Sequence, residues 1–198
     1  MKLTKSIFAL VASACISANA ATITVTNLPG GQPVPVADGL GTIIAKDSGF
    51  AALGTFPAGT AFSDVGAIKA AFQQFGDAVG FVADGLYSNS VTATVGGTSF
   101  SGANVFTVIG DAADLASATG LLVVDHGFAF ADEPNQTNGN GNVVVARDSN
   151  IVFGGTTGAL PVGANMFDGI QVAPVIPEPS SALLGLLGLS FMAFRRRK

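Results

Sequence analysis

The chain has 198 residues, with nine Lys and Arg against thirteen Asp and Glu, one His, one Cys and no Trp. Between its ends, residues 21–176 hold three bases (Lys46, Lys69 and Arg147) against twelve acids, a net charge of −9. That balance repels phosphate backbones and offers no basic stripe to neutralise them, which excludes nucleic-acid binding. The apolar content, 48% of the chain, is too high for a disordered acidic polymer.

Residues 1–20 read as a secretory signal peptide. Lys2 and Lys5 form a charged start, Ile7 to Ile16 an apolar core, and Ala18-Asn19-Ala20 a small-residue cleavage site for signal peptidase. Ten apolar residues are too few to span a bilayer, which takes about 20. Lipoprotein processing at Cys15 is the lesser alternative, since Ala12-Ser13-Ala14 lacks the usual leucine. Cleavage after Ala20 removes Cys15, so the mature chain holds no disulfide, thiol nucleophile or cysteine metal ligand.

The body, residues 21–170, reads as a single domain of short strands. Ala21 to Asn27 alternates threonine with apolar residues, the pattern of a half-buried strand. Prolines and glycines from Pro29 to Pro35 break it. Thr42 to Ala45 and Phe50 to Phe56 are expected to pair as a hairpin across Lys46-Asp47-Ser48-Gly49. Val65, Ile68, Phe72 and Phe75 lie at helical spacing, with Ser63 or Asp64 to cap the helix and Gly76 to end it. Lys69, Gln73 and Gln74 fall on its solvent side, and its apolar face is expected to cover a sheet.

Further strands are expected at 78–83, 91–95, 105–109 and 121–124, with Gly96-Gly97 as a hairpin turn. Residues 111–119 read as one or two helical turns ended by Gly120. A last hairpin joins Asn142 to Ala146 with Ile151 to Phe153. The twelve phenylalanines of the body fall mostly in these runs, where large rings form core. No fixed-period repeat occurs, which argues against a solenoid. The fold class is therefore mainly β, a β-sandwich-like domain of hairpin-connected strands with one packed amphipathic helix.

Little in the body carries chemistry. Asp125-His126 at a strand end is half of a nucleophile-base arrangement, but no G-x-S-x-G elbow accompanies it, and strand neighbours point to opposite faces. One histidine cannot make a common zinc site. Asp132, Glu133, Asn135, Asn138, Asn140 and Asn142 supply oxygen ligands at alternate positions, as calcium loops do, without the acidic first position or closing Glu of an EF-hand. Asn135-Gln136-Thr137 is a formal glycosylation sequon. Thr22, Thr24 and Thr26, with Thr92 and Thr94, make a threonine pattern too short for an ice-binding plane. Tyr87, the single tyrosine, gives scant support for a sugar-stacking groove. No catalytic residue, metal or cofactor is assigned, and the protein is expected not to be an enzyme.

The C-terminus is more specific. Residues 171–179 form a Pro-rich linker ending in Pro177-Glu178-Pro179, and residues 180–198 a short apolar helix ending in Arg195-Arg196-Arg197-Lys198. The apolar run from Ala182 to Phe194 has 13 residues, about 20 Å as a helix against a hydrocarbon core of about 30 Å. Such a segment spans only with bilayer thinning or snorkelling of its arginines. The basic cluster keeps the far end in the cytoplasm, and the proline-locked triplet outside suits a protease groove.

This order of motif, apolar helix and basic end resembles the PEP-CTERM sorting tail of exosortase substrates. The resemblance covers about a tenth of the chain. It implies processing near Pro177, Glu178 and Pro179 by an exosortase, a membrane enzyme of exopolysaccharide-producing Gram-negative bacteria. It further implies transient anchoring in the inner membrane, then the cell surface or a secreted extracellular matrix, with exopolysaccharide as a further partner. A calcium- or carbohydrate-binding adhesive module using the loop from Ala131 to Asn142 is the alternative for the body, and a secreted hydrolase using Asp125 and His126 the lesser one.

Overall fold

The computed structural model describes residues 20–131 and 141–174, which form thirteen strands and one α-helix. β1 (Ala20–Thr26) carries the threonine alternation: Ala21, Ile23 and Val25 are buried and the threonines take the opposite face. The Pro/Gly stretch after it gives a 3-10 turn at Pro29–Gly31 and the two-residue β2 (Val36–Ala37). β3 (Phe50–Thr55), buried throughout, leads into α1 (Val65–Ala71). β4 (Gln73–Gln74) and β5 (Val79–Gly80) return to the flank of β3. There follow β6 (Ser88–Thr94), β7 (Asn104–Gly110) and β8 (Gly120–Ala129). β9 (Asn142–Val144), β10 (Asn150–Phe153), β11 (Gly155–Val162), β12 (Asn165–Gln171) and β13 (Ala173–Pro174) complete the order.

The largest sheet runs β10-β8-β7-β3-β4, with β13 also on β8 and β5 also on β3. Because strand residues alternate between faces, its continuous apolar runs serve two cores. Ala51, Leu53, Ile109, Leu122 and Val124 face one layer, where they meet Ile23, Val25, Val91 and Val143 of the β6-β1-β9 sheet. Ile170, from the third sheet β11-β12-β2, joins the same layer. Phe50, Ala52, Val108, Leu121 and Val123 face the other, where Val65 and Ile68 of α1 cover them. The chain is thus mainly β, with one helix laid on an apolar sheet face.

The helix begins as expected and ends early. Asp64 caps it, its carboxylate accepting the Ala67 N–H at 2.8 Å, and that bond lowers the Asp64 pKa. Phe72 already has extended backbone, and β4 pairs Gln73 with Thr55. Phe72 therefore stays in the helix-side layer, whereas Phe75, three residues on, packs in the other layer against Phe100 and Phe130. The apparent helical spacing continues through Phe75 only because the chain rounds the sheet edge there. Gly54 permits that crossing, since a Cβ on it would overlap the Gln73 carbonyl and the Phe72 ring. Lys69 is not simply solvated: its Nζ donates to the Ala116 and Ala118 carbonyls at 2.8 and 2.7 Å.

The expected hairpins form turns but not pairs. Residues 42–45 make only a single bridge, Ala37 to Ile43, and β3 pairs instead with β7, β4 and β5. Asp47, not Gly49, takes the left-handed conformation in that turn. After Gly96-Gly97 the chain changes sheets, because β6 pairs with β1 and β7 with β3 and β8. β9 lies parallel to β1 and β10 antiparallel to β8, so the turn from Ala146 to Ser149 joins strands of different sheets. Residues 111–119 form an irregular connection rather than a helix. There Asp111 accepts from the Thr119 N–H and hydroxyl, and Asp114 from the Ser117 N–H. β11 and β12 form a tight hairpin, and β7 and β8 pair antiparallel across the longer 111–119 connection. Gln171, expected to open the linker, closes β12, and Ala173 and Pro174 pair with Leu121 and Gly120. The sheets therefore continue to Pro174.

Asn27 pins the turn after β1. It is fully buried, its Nδ2 donates to the Val34 and Gly85 carbonyls at 2.8 Å each, and its Oδ1 accepts the Tyr87 N–H at 2.9 Å. Asn27→Ala strands the Val34 carbonyl and the Tyr87 N–H, while the Gly85 carbonyl keeps the Val36 N–H. At about 1–3 kcal/mol for each unsatisfied group a loss of several kcal/mol is expected in urea unfolding. Tyr87 is the converse case, with a buried hydroxyl that has no partner. Tyr87→Phe is expected to leave the urea midpoint unchanged or raise it.

Candidate functional site

A groove of about 520 Å³ lies at the end of the largest sheet, where β3 stops and β7 starts. Its floor is aromatic. Phe56 stands 5.1 Å from Phe106 and 5.0 Å from Phe62, both edge-on, and Phe62 is 5.8 Å from Phe106. One wall is the loop from Pro57 to Phe62, tightened where the Thr60 N–H and hydroxyl both donate to the Pro57 carbonyl. The opposite wall is the segment entering β7, held by Ala103 N–H on Phe100, Gly102 N–H on Phe130 and Phe130 N–H on Ala103.

Polar groups surround the rings. Gln73 of β4 and Asn104 at the start of β7 are exposed on the rim with Ser99, and their side chains make no hydrogen bond among the described residues. Thr55, 3% exposed, lines the same groove, and its hydroxyl is buried without a partner. None of the thirteen lining residues is charged. The arrangement offers apolar contact and neutral hydrogen bonding, and no acid, base or nucleophile pair.

His126 lies inside β8 rather than in a loop. Phe106 pairs with Asp125 but Asn104 with Ala129, so β8 carries two extra residues at that point. Gly127, at φ +68, allows the resulting bulge. His126 Nε2 shares a hydrogen bond of 2.8 Å with the hydroxyl of Thr107, and its ring lies 5.8 Å from Phe128, which is 49% exposed. Burial lowers the histidine pKa to about 4, against a smaller opposing pull from the Asp125 carboxylate. The Asp125 carboxylate accepts the Gly127 N–H. The hydroxyl on His126 is therefore that of a fully buried threonine, closed to a substrate.

The other residues singled out from the sequence are dispersed. Asp132, Glu133, Asn135, Asn138 and Asn140 lie outside the described residues, and Asn142 opens β9 opposite Thr24. No group of three His, Cys, Asp or Glu among the described residues is placed to hold a metal ion. Tyr87 is fully buried and presents no ring to a sugar. Thr22 and Thr92 share a hydroxyl hydrogen bond of 2.8 Å, and Thr24 and Ser90 one of 2.9 Å, so the threonine rows face each other on the outer side of β1 and β6.

Both ends of the fold adjoin the segments read as address signals. Ala20 opens β1 opposite Thr94, while Ala18 lies outside the described residues. Beyond Pro174 the sequence runs on through Pro177-Glu178-Pro179 to its basic end. Residues 175–198 match the model of the PEP-CTERM protein-sorting motif. The tail is a PEP-CTERM motif. It implies export and exosortase-mediated sorting to the cell surface. Pro177, Glu178, Pro179, Arg195, Arg196 and Arg197 all fall in the matched span and outside the described residues. No helix among the described residues is long and apolar enough to cross a membrane. No curated protein and no solved structure matches the chain.

The groove was not visible in the sequence. Its lining comes from three separated segments, and phenylalanines at 56, 62 and 106 read individually as core.

His126 gives a pH test. Its folded pKa of about 4 lies below the ordinary 6.5, so between those values the unfolded chain binds the proton and the folded one does not. Stability is complete above about pH 6.5 and falls as pH drops towards 4. In His126→Gln, urea midpoints measured from pH 7 to 4.5 are expected to fall less steeply than in the parent.

Proposed function

We propose that this chain is an exported, non-enzymatic bacterial protein of the cell surface or extracellular matrix, sorted and processed through its PEP-CTERM tail. The observation that carries the reading is the motif at residues 175–198, directly after the last strand. Signal peptidase cutting after Ala20 would leave β1 all but its first residue. Exosortase acting near Pro177, Glu178 and Pro179 would spare β13, which ends at Pro174. The two cuts therefore bracket the folded part.

The tail chemistry supports a temporary hold. A 13-residue apolar run is about 10 Å short of the hydrocarbon core. Arg195, Arg196 and Arg197 retain its end in the cytoplasm, and Pro177 and Pro179 keep the triplet out of the helix. Once released, an acidic body with few charges suits a neutral or weakly charged matrix, with exopolysaccharide as the partner class.

Mass spectrometry of the extracellular form tests this directly. It is expected to begin at Ala21 and to lack Arg195 to Lys198. Replacing Pro177, Glu178 and Pro179 with alanine should leave the protein in the membrane fraction with its C-terminus intact. An extracellular form retaining Lys198 defeats the processing claim.

A further inference from the structure

We infer that the groove between β3 and β7 binds a neutral oligosaccharide, with a sugar ring against the half-buried Phe62, which is backed by the buried rings of Phe56 and Phe106. Gln73 and Asn104 would take its outer hydroxyls. Charge is the first argument. The body carries net −9, yet no groove residue is charged. An anionic chain would be repelled by the surroundings and a cationic one would find no partner inside. An uncharged ligand meets neither penalty.

Polarity is the second. Rings alone would accept any apolar group, but a purely apolar ligand would cover polar groups that have no other partner. The two rim amides are exposed and make no side-chain hydrogen bond among the described residues. Desolvating such groups without replacement is costly. A sugar ring satisfies both demands, with C–H faces for aromatic contact and hydroxyls around its rim.

Shape is the third. The volume, about 520 Å³, lies in the ordinary range for small-ligand sites of roughly 300–1,000 Å³. The backbone bonds at Thr60, Gly102 and Ala103 hold the walls in place before any ligand arrives. That the natural glycan is extracellular rests on the export reading above. The binding itself does not.

Isothermal titration of the full chain in mild detergent provides the test. The probes are cellohexaose, maltohexaose and chitohexaose, with hexagalacturonate as the anionic comparison. At least one neutral hexasaccharide is expected to bind and hexagalacturonate is not. Gln73→Ala and Asn104→Ala change exposed residues, and each is expected to weaken binding by about tenfold. Thr55→Val removes only a hydroxyl that is closed off from the groove, and as a control it should leave binding unchanged with the urea midpoint unchanged or higher. Absence of heat with every neutral probe up to millimolar concentration overturns the inference. So does preferential binding of hexagalacturonate, or undiminished binding by both the Gln73 and the Asn104 variant. If the chain binds but is never found outside the cell, the export reading fails and the groove assignment stands.

Discussion

The fold depends on three strands that are buried on both faces. β3, β7 after Asn104 and the first half of β8 have no solvated side, so each residue along them must be accepted by one of two cores. An acidic body with few charges and no cysteine after Ala20 has no disulfide staple. Its cohesion comes from burial, at about 1.5–3 kcal/mol for each fully buried large apolar side chain. The helix, the β6-β1-β9 sheet and the β11-β12-β2 sheet are all covers for this slab.

That constraint explains what could be read from the sequence. The runs at Phe50, Val105 and Leu121 announced buried strands because no charged residue interrupts them. The Ala21–Asn27 alternation announced a one-sided strand, and Asp64 announced a cap. Partner choice was another matter. Turns at 46–49, 96–97 and 146–149 have local chemistry that the sequence displays, but each joins strands whose partners lie far away along the chain. The strands on either side choose neighbours by non-local packing, so hairpin rules misled at each of these turns. Phe75 misled for a related reason: its spacing from Phe72 is helical, while the chain between them is rounding a sheet edge.

The candidate site was illegible for the same reason. A groove between strand ends draws its lining from residues that touch only after the sheet assembles, and no motif marks them. His126 was visible by its rarity. Its meaning lies in the bulge that turns it onto the Thr107 hydroxyl, away from any accessible nucleophile. Conversely, the sorting tail was legible because its motif is linear chemistry, read apart from folding.

One consequence follows from β13. Its pairing with β8 fixes the chain as far as Pro174, and Val172 is packed beneath it against Gly120. Pro177 is three residues further on, so even a fully extended link reaches about 10 Å. An enzyme that grips the Pro-Glu-Pro triplet would have the folded body almost in contact with its mouth. Clearance then becomes a property of the cargo: a protein that folds before it is sorted must either fit beside the enzyme or unzip its last strand. The length of this leash, as much as the motif itself, sets the terms on which the body is handed over.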